Sequence, residues 1–251
     1  MVRLMPRVRA ASVQFLLSVL VALATFALIH ELWYPWGLFE VAGGRDLFIL
    51  IATVNVVIGP MLTFVVFIPG KKGLVFDLVA IAAMQLGALT YGMHVLYGSR
   101  PVFLVFSKDR FELMRANDFD EKELAKAKEP FASLPLTGPR VVGAELPTNR
   151  EELDALVFGA AAGVDIPSLP RYYVAYDRVR SEALKHSAPL AKLRQLNPTE
   201  AVDEAVRKAA LPEQDLRFLA VRAGKIDLTA LVDARGADVV RVVALRPWEF
   251  K

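Results

Sequence analysis

The sequence predicts a membrane protein: three N-terminal transmembrane α-helices followed by a soluble α+β domain with an antiparallel sheet. Two observations carry this. Hydrophobic residues make up 55% of the 251-residue chain, and the mean hydropathy of +0.38 is too high for an ordinary soluble domain. The apolarity is also unevenly spread. Residues 11–97 hold four acidic side chains (Glu31, Glu40, Asp46 and Asp77), whereas from Gly98 onward Lys, Arg, Asp and Glu are closely mixed. The expected division is a basic N-terminus over 1–10, a membrane region over 11–97 and a soluble domain over 98–251.

Three apolar runs, 11–29, 47–68 and 74–97, each reach the roughly 20 residues needed to cross a hydrocarbon core. The first follows basic residues, as a signal peptide would. It is long for such a segment, lacks an A-x-A site and precedes two further spans, so it reads as retained. Arg3, Arg7 and Arg9 lie before the first span, and Lys71 and Lys72 lie in the tight turn between the second and third. The 31–46 loop carries one Arg and three acids. Positive-inside therefore places the N-terminus and the lysine turn in the cytoplasm and the soluble domain on the far side. Trp33, Trp36, Tyr91 and Tyr97 then form the outer aromatic belt. The chain has no Cys, which fits an exported domain without disulfides. Its net charge of +3 gathers on the cytoplasmic flanks, so nucleic-acid binding has no support.

Polar groups inside spans call for an explanation, because lipid offers them no partner. Gln14, Ser18 and Thr25 share a face of the first span. Asn55, Gly59 and Thr63 recur at i, i+4 and i+8 in the second. Asp77, Ile81, Met84, Gln85, Ala88 and Gly92 form a broad stripe on the third. Two readings stay open. The faces pack against one another through hydrogen bonds worth roughly 0.6 to 2 kcal/mol each, or they line a groove for a foreign transmembrane helix. Asn55 lies thirteen residues before Ile68 and Gln85 thirteen after Lys72, so both sit about 20 Å from the turn, within reach of each other. Pro60 frees the Val56 carbonyl and bends the span, which needs a neighbour to re-satisfy that group. The bend opens a cleft or is purely architectural. Asp77, just inside the cytoplasmic face, is either neutralised by Lys71 or Lys72 or serves a cationic partner.

In the soluble domain, residues 101–106 and 110–116 read as two strands. A short charged helix is expected over 119–131, stopped at Pro130. An amphipathic helix capped by Asn149 runs to Gly159 or Gly163. Residues 172–187 lean to helix. Another helix starts with Asn197 as cap, Pro198 in the first turn and Glu200 closing a capping box. Segments 216–224, 225–234 and 238–248 alternate in period two, with turns at Gly224 and at Arg235 and Gly236.

No catalytic constellation emerges. His30, His94 and His186 are scattered, no metal-ligand spacing or G-x-S-x-G run occurs, and "PGKKG" lacks the parts of a phosphate loop. The expectation is a non-enzyme without cofactor or metal.

The motifs "LWYPWGLFEVAGGRDLF", "VNVVIGPMLTFVVFIPGKKGLVFDL", "MQLGALTYG" and "RPVFLVFSKDRFEL" together resemble the bacterial type IV pilin accessory proteins of the TfpX/TfpZ type. The likeness is dense over 32–113 and thin beyond, apart from the tail ending in "RPW". Many members carry Asp before the V-x-x-G-P run, where this chain has Asn55, leaving a hydrogen bond but no midplane charge. The resemblance implies an inner-membrane, non-catalytic chaperone or assembly factor that stabilises a pilin. It implies that the groove residues meet the pilin's transmembrane helix, that the outer, periplasmic domain meets its globular part, and that Asp77 faces the positively charged N-terminal amine of a processed pilin. Besides the pilin and the lipid bilayer, self-association stays open. The competing reading is a membrane-bound sensor with a periplasmic ligand-binding domain, but the cytoplasm receives only short basic segments.

Overall fold

A computed structural model describes residues 4–161 and 165–249; Arg3 and Gly163 lie outside them. Helix α1 (Leu4–Ala27) runs on as a π-helix, Leu28–Trp33. A one-turn helix, α2 (Leu38–Val41), follows. The second span is α3 (Gly44–Thr53), a π-helical turn (Val54–Ile58) and α4 (Gly59–Val66), and the third is α5 (Leu74–Ser99). Continuous helices of 30, 23 and 26 residues are long and apolar enough to cross a membrane. The first begins before residue 11 because Leu, Met and Arg favour helix, and Pro6 falls in the first turn, where its missing N–H costs nothing.

Packing divides the chain into two compact units. One holds the residues up to Leu32 together with Gly43–Gly98. The other holds Trp33–Ala42 together with the chain from Ser99 onward. The 33–42 loop thus folds with the soluble residues rather than with the helices it joins. Tyr34 is fully buried and its hydroxyl donates to the Ser99 carbonyl at 3.2 Å. The Val242 amide donates to the Trp36 carbonyl at 2.8 Å, and Leu38, Phe39 and Ala42 are buried.

The soluble unit contains β1 (Pro101–Ser107), β2 (Arg110–Arg115), β3 (Arg140–Ala144), β4 (Tyr173–Ala175), β5 (Ala188–Pro189), β6 (Leu216–Ala223), β7 (Ile226–Asp233) and β8 (Val239–Val243). They form one sheet in the order β4-β3-β1-β2-β6-β7-β8, with β5 on β6. The hairpin β1–β2 and the meander β6–β7–β8 are antiparallel as expected. The pairings β1–β3 and β2–β6 are parallel, so the sheet is mixed. Parallel neighbours need long crossovers, and the chain supplies them through α6 (Glu121–Leu124), α7 (Arg150–Ala161), α8 (Arg180–His186), α9 (Leu190–Leu196) and α10 (Thr199–Ala209). Every residue of β1 is buried, so the centre of the sheet is covered on both faces. Phe103, Val105, Val142, Phe131 and Tyr173 form one core, and Leu193, Val202, Phe218 and Leu231 another under α9 and α10.

Three local expectations are corrected. The charged helix shrinks to α6, capped by Asp120, whose carboxylate accepts from the Lys122 amide at 3.0 Å. Residues 172–187 divide into β4 and α8, because Tyr173 and Val174 pair with Ala144 and Gly143 on β3. Asn197 does not cap α10: its side chain bonds both backbone groups of Arg246, at 2.9 and 2.8 Å, and Pro198 takes the cap position. Asn149 does accept from the Glu151 amide, at 3.1 Å.

Candidate functional site

The second span supplies the starting point. In the π-helical turn before Gly59, amides pair with carbonyls five residues back. Pro60 has no amide, so in that register the carbonyl left over is that of Asn55, not that of Val56. Gln85 of α5 fills the gap, its Nε2 donating to the Asn55 carbonyl at 3.0 Å. The Asn55 side chain turns away and donates to the Ile51 carbonyl at 3.0 Å. Gly59 makes the approach possible, since a Cβ there would lie 1.8 Å from the Gln85 Nε2. The Gln85 Oε1 in turn accepts from the Nε2 of Gln14 on α1. One hydrogen-bonded chain therefore links all three spans near their middle.

The stripe on α5 resolves into a narrower line. Ile81 is buried, Gln85 meets Asn55, and Gly92 packs on Ile51, whose Cγ1 would lie 2.5 Å from an added Cβ. Ala88 is half-buried on the same side, while Met84 is 60% exposed and points outward. Asp77 is paired with Lys71, whose Nζ lies 2.5 Å from its Oδ2.

Between α1 and α5, on the side of the network toward Lys71 and Lys72, lies an open-sided cavity of about 630 Å³. Arg9, Ala10 and Val13 of α1 form one wall, Leu78 and Ala82 of α5 the other, and Thr63 of α4 contributes from the second span. A further cavity of about 260 Å³ borders Asn55, Ser18 and Gln85 and shares Gln14 and Ala82 with the first. The two make a groove along the bundle whose lining is apolar except at a few points. Pro60 is half-buried and lines neither cavity. The wall residues Ala10, Val13 and Ala82 gave no sequence signal, because an apolar groove wall and a lipid-facing surface have the same composition.

The soluble unit holds a smaller cavity of about 290 Å³, bordered by Glu40, Glu204, Lys208 and Arg241 among others. On β2, burial raises the Glu112 carboxyl to about 7, against the opposing pull of Arg222 and Arg110. Among the described residues, no group of three or more His, Cys, Asp or Glu side chains converges on a point that could hold a metal.

Two curated proteins are 34% identical to this chain over 216 residues, covering 84% of each chain: the fimbrial assembly proteins of serogroup E1 and serogroup I of Dichelobacter nodosus. The fimbrial assembly protein of serogroups C1 and C2 of the same organism is 36% identical over 121 residues, 47% of this chain and 92% of that protein. No family model matches the chain. No solved structure matches it either.

Proposed function

The chain belongs to the fimbrial assembly proteins, the type IV pilin accessory family, and on that premise we propose that it binds and stabilises a type IV pilin in the bacterial inner membrane before or during assembly of the fibre. In this reading the lysine turn and the N-terminus face the cytoplasm and the soluble unit faces the periplasm. The groove between α1 and α5 holds the pilin's transmembrane helix, and the soluble unit meets its globular part. The work is binding, and no residue is assigned a catalytic role.

The observation that carries this is the groove. Helix association in lipid depends on close packing of small side chains and on a few hydrogen bonds, since lipid tails already satisfy apolar surface. Ala10 and Ala82 on facing walls leave room for another helix to approach. The polar network beneath fixes the three resident spans, so the groove exists before an occupant arrives.

A photo-cross-linking residue at Ala82, in membranes that also contain the pilin, tests the reading. Adducts with the pilin are expected at Ala82 and not at Val57, an exposed residue of the second span outside the groove lining. Equal adducts at both positions, or none at Ala82, overturn it.

A further inference from the structure

We propose that the groove between α1 and α5 is a binding site for one anionic phospholipid, with its phosphate on Arg9 at the mouth and one acyl chain lying along the groove. The site needs no pilin, so it is tested without one and does not depend on the reading of the groove as a helix site.

The shape fits a lipid chain. Arg9 shares the larger cavity with Phe67, which caps the end of α4, and with Val75 in the first turn of α5. The mouth therefore lies at the membrane surface on the side of the lysine turn. From there Ala10 and Val13 face Leu78 and Ala82, and the second cavity carries the walls on to Val21 and Leu89. Arg9 and Val21 are twelve residues apart on one helix, about 18 Å at 1.5 Å per residue. One leaflet of hydrocarbon is about 15 Å deep, half of roughly 30 Å. A groove of that length, open along its side, admits an acyl chain laterally from one leaflet.

The charge selects the headgroup. Among the described residues lining the two cavities, Arg9 is the only charged one, and it is exposed. Every phospholipid brings a phosphate, which a guanidinium receives through paired hydrogen bonds. Phosphatidylcholine and phosphatidylethanolamine also bring a cation, which calls for a carboxylate nearby. No acidic residue lines either cavity, and Asp77, the acid nearest in sequence on α5, is held by Lys71. Phosphatidylglycerol brings the phosphate without the cation. Lys71 and Lys72 add positive charge at the same end but line neither cavity. They draw anionic lipid to the surface without forming the site.

The test uses the full chain in phosphatidylcholine nanodiscs containing some phosphatidylglycerol, with the lipid retained on release counted by native mass spectrometry. Phosphatidylglycerol is expected to bind about fivefold tighter than phosphatidylcholine. Arg9→Gln should erase that preference, while Lys72→Gln should change it less than about twofold. Equal losses in the two variants would show a general attraction to the basic surface and overturn the proposal. Ala82→Phe fills the groove and keeps the charge, and should cut phosphatidylglycerol binding about fivefold. Ala83→Phe, at an exposed neighbour that lines neither cavity, should leave it unchanged. Undiminished binding in Ala82→Phe would take the acyl chain out of the groove and overturn the proposal. Displacement of the lipid by inorganic phosphate would reduce the site to an anion contact at Arg9 and overturn it as well.

Discussion

Gln85 of the third span donates its side-chain amide to the backbone carbonyl of Asn55 in the second, at 3.0 Å. The bond supplies what Pro60 cannot. It also explains the glycine beside that proline, because Gly59 is where the Gln85 amide passes. A buried carbonyl without a partner costs more than a typical hydrogen bond contributes, so the three residues act as one unit.

Gly59→Ala therefore expels Gln85 and leaves the Asn55 carbonyl open. We expect a loss of about 1 to 3 kcal/mol in the stability of the helical unit, read by thermal unfolding in detergent. In a Gln85→Ala background the same glycine change should cost less than about 0.5 kcal/mol, because nothing remains to be displaced. Strictly additive costs would show that the glycine and the glutamine act separately.

Asp77→Asn is expected to change capture of the pilin less than twofold, since Lys71 already neutralises the carboxylate at 2.5 Å. Pairing with the pilin's N-terminal amine would need Asp77 to leave that lysine. A tenfold loss of co-purified pilin in Asp77→Asn, with Lys71→Ala having no effect, would show that it does.

Much of the membrane unit is legible in the sequence because length, hydropathy and basic flanks report on a bilayer directly. Asn55, Gly59 and Gln85 also stand out as polar or small positions in apolar runs. Their bonding does not, because the π-helical turn that shifts the orphan carbonyl from Val56 to Asn55 is not written in local propensity. Met84 adjoins Gln85 in the sequence stripe, yet one residue along a helix is a rotation of about 100°, enough to turn it outward. In the soluble unit the alternating strands were plain. Their parallel joins, β1 to β3 and β2 to β6, depend on residues far apart in sequence and leave no local trace. The 33–42 loop gave no sign that its Tyr34 and Leu38 belong to the soluble core.

Glu112 makes stability of the soluble unit depend on pH. Burial raises its folded pKa from 4.5 to about 7, so between those values the unfolded chain loses the proton while the folded chain keeps it. Stability from this group is fully present below pH 4.5, falls as pH rises, and is lost above about 7. A shift of that size corresponds to roughly 3 kcal/mol, which solvent around the partly exposed side chain screens to about 1 to 2. Glu112→Gln stays neutral throughout. Its melting temperature should therefore fall several degrees less than that of the unsubstituted protein between pH 5 and 7.5; identical pH dependence would show that Glu112 ionises normally.

The final prediction concerns the side of the membrane on which the soluble unit folds. Tyr34 bonds to Ser99, and Trp36 bonds to Val242, so the 33–42 loop and the chain after Ser99 form one body and must share one side. On the proposed topology Lys71, Lys72 and Arg9 face the cytoplasm, as the positive-inside rule predicts from their charge, and the soluble unit faces the opposite side. A reporter active only outside the cytoplasm should be active when fused after Lys251 and silent when inserted between Lys71 and Lys72. The reverse pattern would remove the soluble unit from any exported partner. Docking of the loop has its own readout in two glycines with left-handed φ, Gly37 at +84° and Gly43 at +88°. A Cβ at Gly43 meets nothing within 4 Å, so Gly43→Ala costs only backbone strain, about 1 to 2 kcal/mol. A Cβ at Gly37 would come within 2.9 Å of the Val242 carbonyl oxygen, on the edge strand that Trp36 already holds. Gly37→Ala should therefore cost about 1 to 2 kcal/mol more than Gly43→Ala. Equal melting temperatures for the two variants would show that the loop rests loosely on β8, and the inference of a shared side would then depend on the reporter alone.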